Sequence, residues 1–210
     1  MNEIRFYNLN DPYGFFSNFS PHSIFIEGEA WPTAEHFFQA GKFEDESIRN
    51  KIRSAESPMK AASKGREENN TIRGDWEEIK ERIMLKALLA KFLQHPELRA
   101  ELLRTKGCRI IEHTGNDCYW GNAGDDSGKN RMGELLMTVR NIIDDISSDP
   151  DIVLPPWIAL PPIDQFDWFW KMGPGGDYLI KWKEYYLNCA DQEKYKSEFP
   201  ENPDWEGVYD

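Results

Sequence analysis

The spacing of apolar residues changes period several times along the chain, and each change marks a separate element. IRFYNL (4–9) alternates well enough to predict a strand. DPYGFFSNFSP (11–21) mixes aromatic rings with Gly, Pro, Ser and Asn and predicts a packed loop. In SIFIEGEAW (23–31), Ile24 and Ile26 share one strand face, and Glu27-Gly28-Glu29 predicts the turn of a hairpin. Thr33 is placed to cap a helix running to about Phe43. Ser57 as cap, Pro58 in the first turn and Gly65 as the stop bound a compact helix. Asp75 opens a long helix to about Gln94, with Asp75 and Glu78 at capping-box spacing and Trp76, Ile79, Ile83 and Ala87 as its apolar stripe. Pro96 starts another helix carrying Leu98, Leu102 and Leu103, and CRIIEHT (108–114) predicts a strand. A Gly-punctuated loop (116–130) precedes a last helix at about 131–146, with Leu135, Leu136, Val139, Ile142 and Ile143 on its apolar side.

This order predicts an α+β fold: a helix-rich single domain with a small β-sheet over residues 1–147, plus an aromatic, acidic C-terminal extension over 148–210. From Asp151 onward lie five of the eight Trp, seven of the thirteen Pro and twelve acidic residues against five Lys, so −7 of the net −12 sits there. The segment is too aromatic for a solvating tail. Its stretches IDQFDWFWKM and YLIKWKEYYL are expected to dock on the main domain or form a small module, and DQEKYKSEFPENPDWEGVYD to be looser.

Composition narrows the function classes. No apolar run of roughly 18 residues predicts a membrane span, and the N-terminus lacks the layout of a signal peptide. Cys108, Cys118 and Cys189, odd in number and widely spaced, suggest no disulfide framework and no CxxC metal site, which points to a reducing, cytoplasmic setting. The acidic balance argues against tight non-specific binding to DNA or RNA, while leaving room for a local basic pocket.

Candidate chemistry concentrates in WPTAEHFFQAGKF (31–43). At helical spacing Glu35, Gln39 and Lys42 lie on one stripe with Phe38 beside it, and Phe37, Ala40 and Gly41 take another face. Glu35 falls in the first turn, where the helix dipole favours a carboxylate. Two readings stand: an ordinary amphipathic helix with a solvated polar face, or a polar face looking into a site. His36, His22, His95 and His113 read as structural histidines, since no HExxH, HxH or carboxylate–His cluster accompanies them. In the 116–130 loop Gly115, Gly121, Gly124 and Gly128 permit close backbone approach to a ligand, and Asp117 and Trp120 offer a carboxylate and a stacking face; a Gly-rich connector is the plain alternative. Lys60, Lys64, Arg66 and Arg73 cluster near helix ends, where each is a surface charge or a phosphate contact.

Together these stretches resemble the NADAR domain family, the YbiA-like N-glycosidases. The resemblance is carried by FYN…YGFFSNF (6–19), WPTAEHFFQAGKF (31–43), SPMKAASKGR (57–66), DWEEIKERIMLKALLAKF (75–92), IIEHTGNDCYWG (111–121) and GKNRMGELLMTVR (128–140). It spans about residues 4–146 and omits the extension. It implies cleavage of an N-glycosidic bond between a phosphorylated ribose and a nitrogen, with no metal or cofactor. The implied partners are ADP-ribosylated guanine in nucleic acid, the favoured reading, or a small ribosyl-phosphate metabolite among the ribosylamino-pyrimidine intermediates of riboflavin synthesis. Glu35 matches the family's catalytic Glu, and Trp76 and Asp117 match positions of its site. Lys42, Tyr7, Asn18, Trp120, Asn130 and Arg140 fall on other motif positions as binding or support residues, and Arg66 is placed with the substrate-binding group. Asp125 and Asp126 depart from the pattern by adding negative charge near the loop.

In both substrate classes C1′ of ribose is bonded to an exocyclic aromatic amine. Glu35 is expected to stabilise the developing cation or activate water, with Asp117 as helper and Trp76 or Trp120 stacking on the base. A second route passes through a Schiff base on Lys42, with Glu35 shuttling protons. Two rivals of other classes remain: a nucleotide-binding module without turnover, and an interaction protein whose aromatic extension recruits a partner.

Overall fold

The computed structural model describes residues 2–26, 29–148, 153–159, 165–171, 173–199 and 205–209. Four short strands form two separate pairs. β1 (Glu3–Phe6) runs parallel to β4 (Arg109–Glu112), with Glu3 opposite Arg109 and Phe6 opposite Glu112. β2 (Ile24–Ile26) and β3 (Glu29–Trp31) are antiparallel, with Ile24 opposite Trp31. The hairpin strands stand as the pattern predicts; its turn residues Glu27 and Gly28 lie outside the described residues. β1 is shorter than the alternation suggested, because the chain leaves it after Phe6 for the aromatic loop.

The helices are α1 (Ala34–Ala40), α2 (Glu46–Arg53), α3 (Pro58–Lys64), α4 (Trp76–Gln94), α5 (Pro96–Arg104), α6 (Arg131–Ser148), α7 (Pro156–Ala159), α8 (Gly173–Leu187) and α9 (Gln192–Glu198). Thr33 and Ser57 cap α1 and α3 through their hydroxyls, as expected. α1 stops at Ala40 rather than near Phe43, with Gly41 as its C-cap. α2 was not predicted. Asp45 accepts from Ser47 N and Ile48 N to start it, but only Ile48 and Ile52 turn inward, so few apolar residues mark it. The capping box expected at α4 is also absent: the Asp75 carboxylate is held by the Arg73 guanidinium at 2.5 and 2.9 Å and makes no cap.

α4 is the spine. Its Leu88 and Phe92 pack with Phe6, Phe16, Ile110, Leu136 and Val139, while its Ala87 packs on the other side with Trp31, Phe37, Phe43 and Ile52. A helix buried on several faces needs apolar residues nearly all round. Two lysines break that rule, Lys86 and Lys91, both buried. Lys91 Nζ donates to Phe15 O (2.7 Å), Ser17 O (3.0 Å) and Ser20 Oγ (3.1 Å), so it closes the 15–20 loop onto α4.

The extension builds an aromatic core of its own from Val153, Leu154, Trp157, Trp170, Trp182, Tyr186, Tyr195 and Trp205. Trp182 Nε1 donates to Tyr195 Oη at 3.0 Å, satisfying an indole with less than 1% exposure. Tyr195 and Trp205 come from the stretch expected to be loose; they are buried because that core needs their rings. Leu93 of α4 packs against this cluster, and Lys86 Nζ meets Asp167 at 2.9 Å with side-chain exposures of 7% and 10%.

Removing one member of such a buried pair takes a close charged partner from the other. Lys86→Ala is therefore expected to lower unfolding free energy by about 1–3 kcal/mol in urea denaturation, and Lys86→Met with Asp167→Leu to recover part of it. A Lys86→Ala protein as stable as the native chain would contradict this account of the attachment.

Candidate active site

Glu35 points into the protein, not into solvent, at 2% exposure. Two residues fix it, one distant in sequence and one a turn along the same helix. Its backbone N–H donates to Asn18 O at 3.0 Å, and the Asn18 Nδ2 amide in return donates to Glu35 Oε2. Gln39, one turn along α1, donates from Nε2 to Oε1 at 2.7 Å. Glu35 and Gln39 of the predicted stripe thus face inward, with Lys42 half-buried beyond them. His36, the neighbour of Glu35, is scaffolding: its ring nitrogens meet Thr33 Oγ1 at 2.8 Å and Ala55 O at 3.1 Å, and burial lowers its pKa.

Burial pushes the Glu35 pKa up to about 8, outweighing the Gln39 hydrogen bond and the charges of Lys42 and Arg66, which act in the opposite direction. At neutral pH this carboxyl group carries a proton. Lys42 is half-buried, with Nζ 3.3 Å from Gly65 O and 5.9 Å from the Trp76 ring centroid. Burial lowers its pKa, opposed by Glu35 and reinforced by Arg66. A carboxyl group of raised pKa coupled electrostatically to an amine of lowered pKa is a candidate proton-transfer pair.

Trp76 and Trp120 share one aromatic wall, both against Phe38, at centroid separations of 5.1 and 5.4 Å. Asp117 shapes that wall: its Oδ1 accepts from Tyr119 N (2.8 Å) and Trp120 N (2.7 Å), which makes it an orienter of Trp120. Tyr119 in turn donates to Glu81 of α4, which Arg131 of α6 grips through two nitrogens. Arg66 is exposed just beyond α3, its charge felt at both Glu35 and Lys42. Tyr7 follows β1 with 49% of its surface exposed.

Some expectations need correcting. Asn130, placed with the substrate-binding residues, has both amide atoms occupied by β4: Oδ1 accepts from Glu112 N and Nδ2 donates to Ile110 O, each at 2.9 Å. It pins the strand. Arg140, expected as a binding or support residue, gives Nη1 to Thr105 and Cys108 between α5 and β4, which is support. The loop glycines serve close approach of the chain to itself, since a Cβ on Gly121 would sit 2.3 Å from Thr114 and one on Gly128 2.5 Å from Gly121 O. Asp126 is paired with Arg5 at 3.0 Å, while Asp125, exposed and hydrogen-bonded to Ser127, keeps its charge at the surface.

Glu112 is the residue that sequence reasoning passed over. It ends β4 on the face of buried Ile110, and burial together with Asp117 raises its pKa to about 7. Period two in RIIE is the signal that finds it. Its charge also raises the Glu35 pKa. Among the described residues no group of three or more His, Cys, Asp or Glu side chains is arranged to hold a metal ion, and no helix is long and apolar enough to cross a membrane.

Two outcomes follow from this geometry. The unfolded chain ionises Glu35 near 4.5 and the folded chain near 8, so its contribution to stability is complete below about pH 4.5 and is lost as pH rises through about 8. The melting temperature of Glu35→Gln, relative to the native chain, is expected to climb between about pH 5 and pH 8 and then level off; a constant difference would refute the raised pKa. Gly65 leaves no room for a side chain, because its Cβ would lie 2.1 Å from Gln39 Oε1. Gly65→Ala is expected to push Gln39 off Glu35 and reduce unfolding free energy by about 1–3 kcal/mol, measurable in urea.

Comparison with known proteins agrees with this architecture. A family model, the NADAR domain, matches residues 5–144. N-glycosidase YbiA of Escherichia coli (strain K12) is 53% identical over 137 residues, covering 65% of this chain and 86% of that protein. The NMR structure of E. coli YbiA superposes with a TM-score of 0.65 at 50% identity, over 70% of this chain and 88% of the other. Riboflavin biosynthesis protein VVA0006 of Vibrio vulnificus (strain YJ016) is 39% identical over 137 residues, 65% of this chain but 37% of that longer protein.

Proposed function

The chain belongs to the NADAR domain family, and on that premise we propose that it is an N-glycosidase cleaving the bond between C1′ of a phosphorylated ribose and an exocyclic aromatic amine. The observation that carries the reading is the Glu35 carboxyl group, buried between two amide donors, protonated at neutral pH, and paired with an amine of lowered pKa. An exocyclic aromatic amine leaving C1′ needs a proton as the C1′–N bond weakens, and a protonated Glu35 supplies it.

Lys42 completes the reaction. A ribosylamine opens to its imine when the C1′–O4′ bond breaks, O4′ taking a proton and the nitrogen lone pair forming the C1′=N bond. The Lys42 amine adds to C1′, and the aromatic amine leaves with a proton passed through Glu35. Water then hydrolyses the Lys42 imine, giving the free sugar aldehyde and restoring the amine. Trp76 and Trp120 supply a stacking face for the leaving base, and Arg66 a contact for phosphate.

ADP-ribose on guanine is the substrate we favour. Beside Arg66 lies an open depression of about 650 Å³, lined by Met59, Lys60, Ser63, Arg66, Glu67 and Glu68. That is room beyond one ribose phosphate. A second reading, ribosylamino-pyrimidine phosphates, is favoured by the riboflavin-biosynthesis name of the Vibrio relative.

A side-by-side assay on an oligonucleotide bearing ADP-ribosylated guanine and on the ribosylamino-pyrimidine phosphates separates the two readings. Turnover on either is expected to fall about 100-fold or more in Glu35→Gln. Borohydride added during turnover is expected to trap a sugar adduct that Lys42→Ala abolishes. Turnover without any trapped adduct would remove the covalent step and leave direct hydrolysis with Glu35 as proton donor. Unchanged turnover in Glu35→Gln would overturn the assignment of the site.

A further inference from the structure

Lys91 is fully buried, at less than 1% exposure, yet carries a group that ordinarily seeks water. Nothing in the reaction above uses it. Burial lowers its pKa to about 7, and among the described residues no carboxylate forms an ion pair with it. Its partners are oxygens of a single loop: the carbonyls of Phe15, Ser17 and, at 3.5 Å, Phe16, and the Ser20 hydroxyl. An ammonium has three donors in a compact head, and these acceptors surround it from consecutive turns of one strand of chain. An apolar residue here would leave those inward-facing carbonyls without their donor.

That loop has one other polar attachment at its middle. Asn18, between the Ser17 carbonyl and the Ser20 hydroxyl that Lys91 holds, donates its side-chain amide to Glu35 Oε2 and accepts from Glu35 N on its main-chain oxygen. A residue flanked on one side by Ser17 O and on the other by Ser20 Oγ, both tied to one nitrogen, has little freedom to withdraw its amide. We propose that Lys91 is a positioning residue for the candidate catalytic carboxylate: by holding the carbonyls of Phe15 and Ser17 and the Ser20 hydroxyl, it keeps the Asn18 amide seated on Glu35. The seat matters because a donor on a carboxylate stabilises its charged form, and Asn18 therefore limits how tightly Glu35 keeps its proton. Catalysis needs that proton to leave as well as to stay.

The kinetic side of this assignment rests on the N-glycosidase reading, so the test reads Glu35 directly. Its side-chain carboxyl is followed by carbon NMR in glutamate-labelled protein, identified by its loss in Glu35→Gln. Asn18→Ala is expected to raise the Glu35 titration midpoint by about one pH unit. Lys91→Met, which keeps the length and removes the donors, is expected to raise it comparably. The double variant is expected to show no more than the Asn18→Ala shift, because both act through one hydrogen bond. A Lys91→Met midpoint equal to the native one overturns the proposal. So does a shift that adds in full to that of Asn18→Ala, which would mark a direct effect of the lost charge.

Should Lys91→Met fail to fold, Ser20→Ala removes a single oxygen from the cage and is expected to move the midpoint upward by a smaller amount; no movement overturns the assignment equally. With an active substrate, Lys91→Met is expected to lower kcat about tenfold while changing KM less than twofold. A protein that turns over neither substrate class would end the N-glycosidase reading, and the titration would still decide the role of Lys91.

Discussion

A carboxyl group shut away from water is the constraint around which the first 144 residues are arranged. Such a group must be supplied with hydrogen bonds, or keep its proton, or both. Glu35 does both. Asn18 reaches it from the aromatic loop and Gln39 from the next turn of α1. Gly65 is bare so that Gln39 can lie flat against the end of α3. The aromatic residues around this group do more than fill volume. They keep the local dielectric low, and a low dielectric turns a modest helix-start glutamate into an acid that holds its proton near neutrality.

Much of this was legible in the sequence, for a definite reason. Caps, stops and the Glu35–Gln39–Lys42 stripe are local patterns, written within a few residues of where they act, and the caps Thr33 and Ser57 and the span of α4 stand as read, while α4 is apolar on several faces and not along one stripe. What stayed hidden depends on partners far away along the chain. Lys91 meets a loop more than seventy residues earlier, and Asn130 spans back to β4. Neither relation has a period. Asp75 misled because a cap and an ion pair call for the same residue, and the Arg73 guanidinium, two residues away, took the carboxylate. α2 stayed hidden for the opposite cause: a helix that buries little writes little.

The motif residues divide by what their polar atoms touch. Glu35, Lys42, Trp76 and Trp120 share one neighbourhood of acid, amine and rings, with Arg66 at its rim. Asn130, Arg140 and Asp117 use their polar atoms on backbone, and so set where strands and loops lie. α4 joins both groups. It presents Trp76 to the site, Glu81 to the loop that carries Trp120, and Lys91 to the loop that carries Asn18. A shift of that one helix would move every wall of the site together.

The extension meets this spine at Lys86 and Leu93 and otherwise packs its aromatic rings mainly on themselves. A segment that arrives with its own interior asks very little of its host. Among the described residues its attachment uses Lys86 and Leu93 of α4 together with the packing of α7 on α6. The family match ends at residue 144, before the extension begins. The extension therefore adds a second interior beyond the matched region, one that can open locally without disturbing the packing around Glu35.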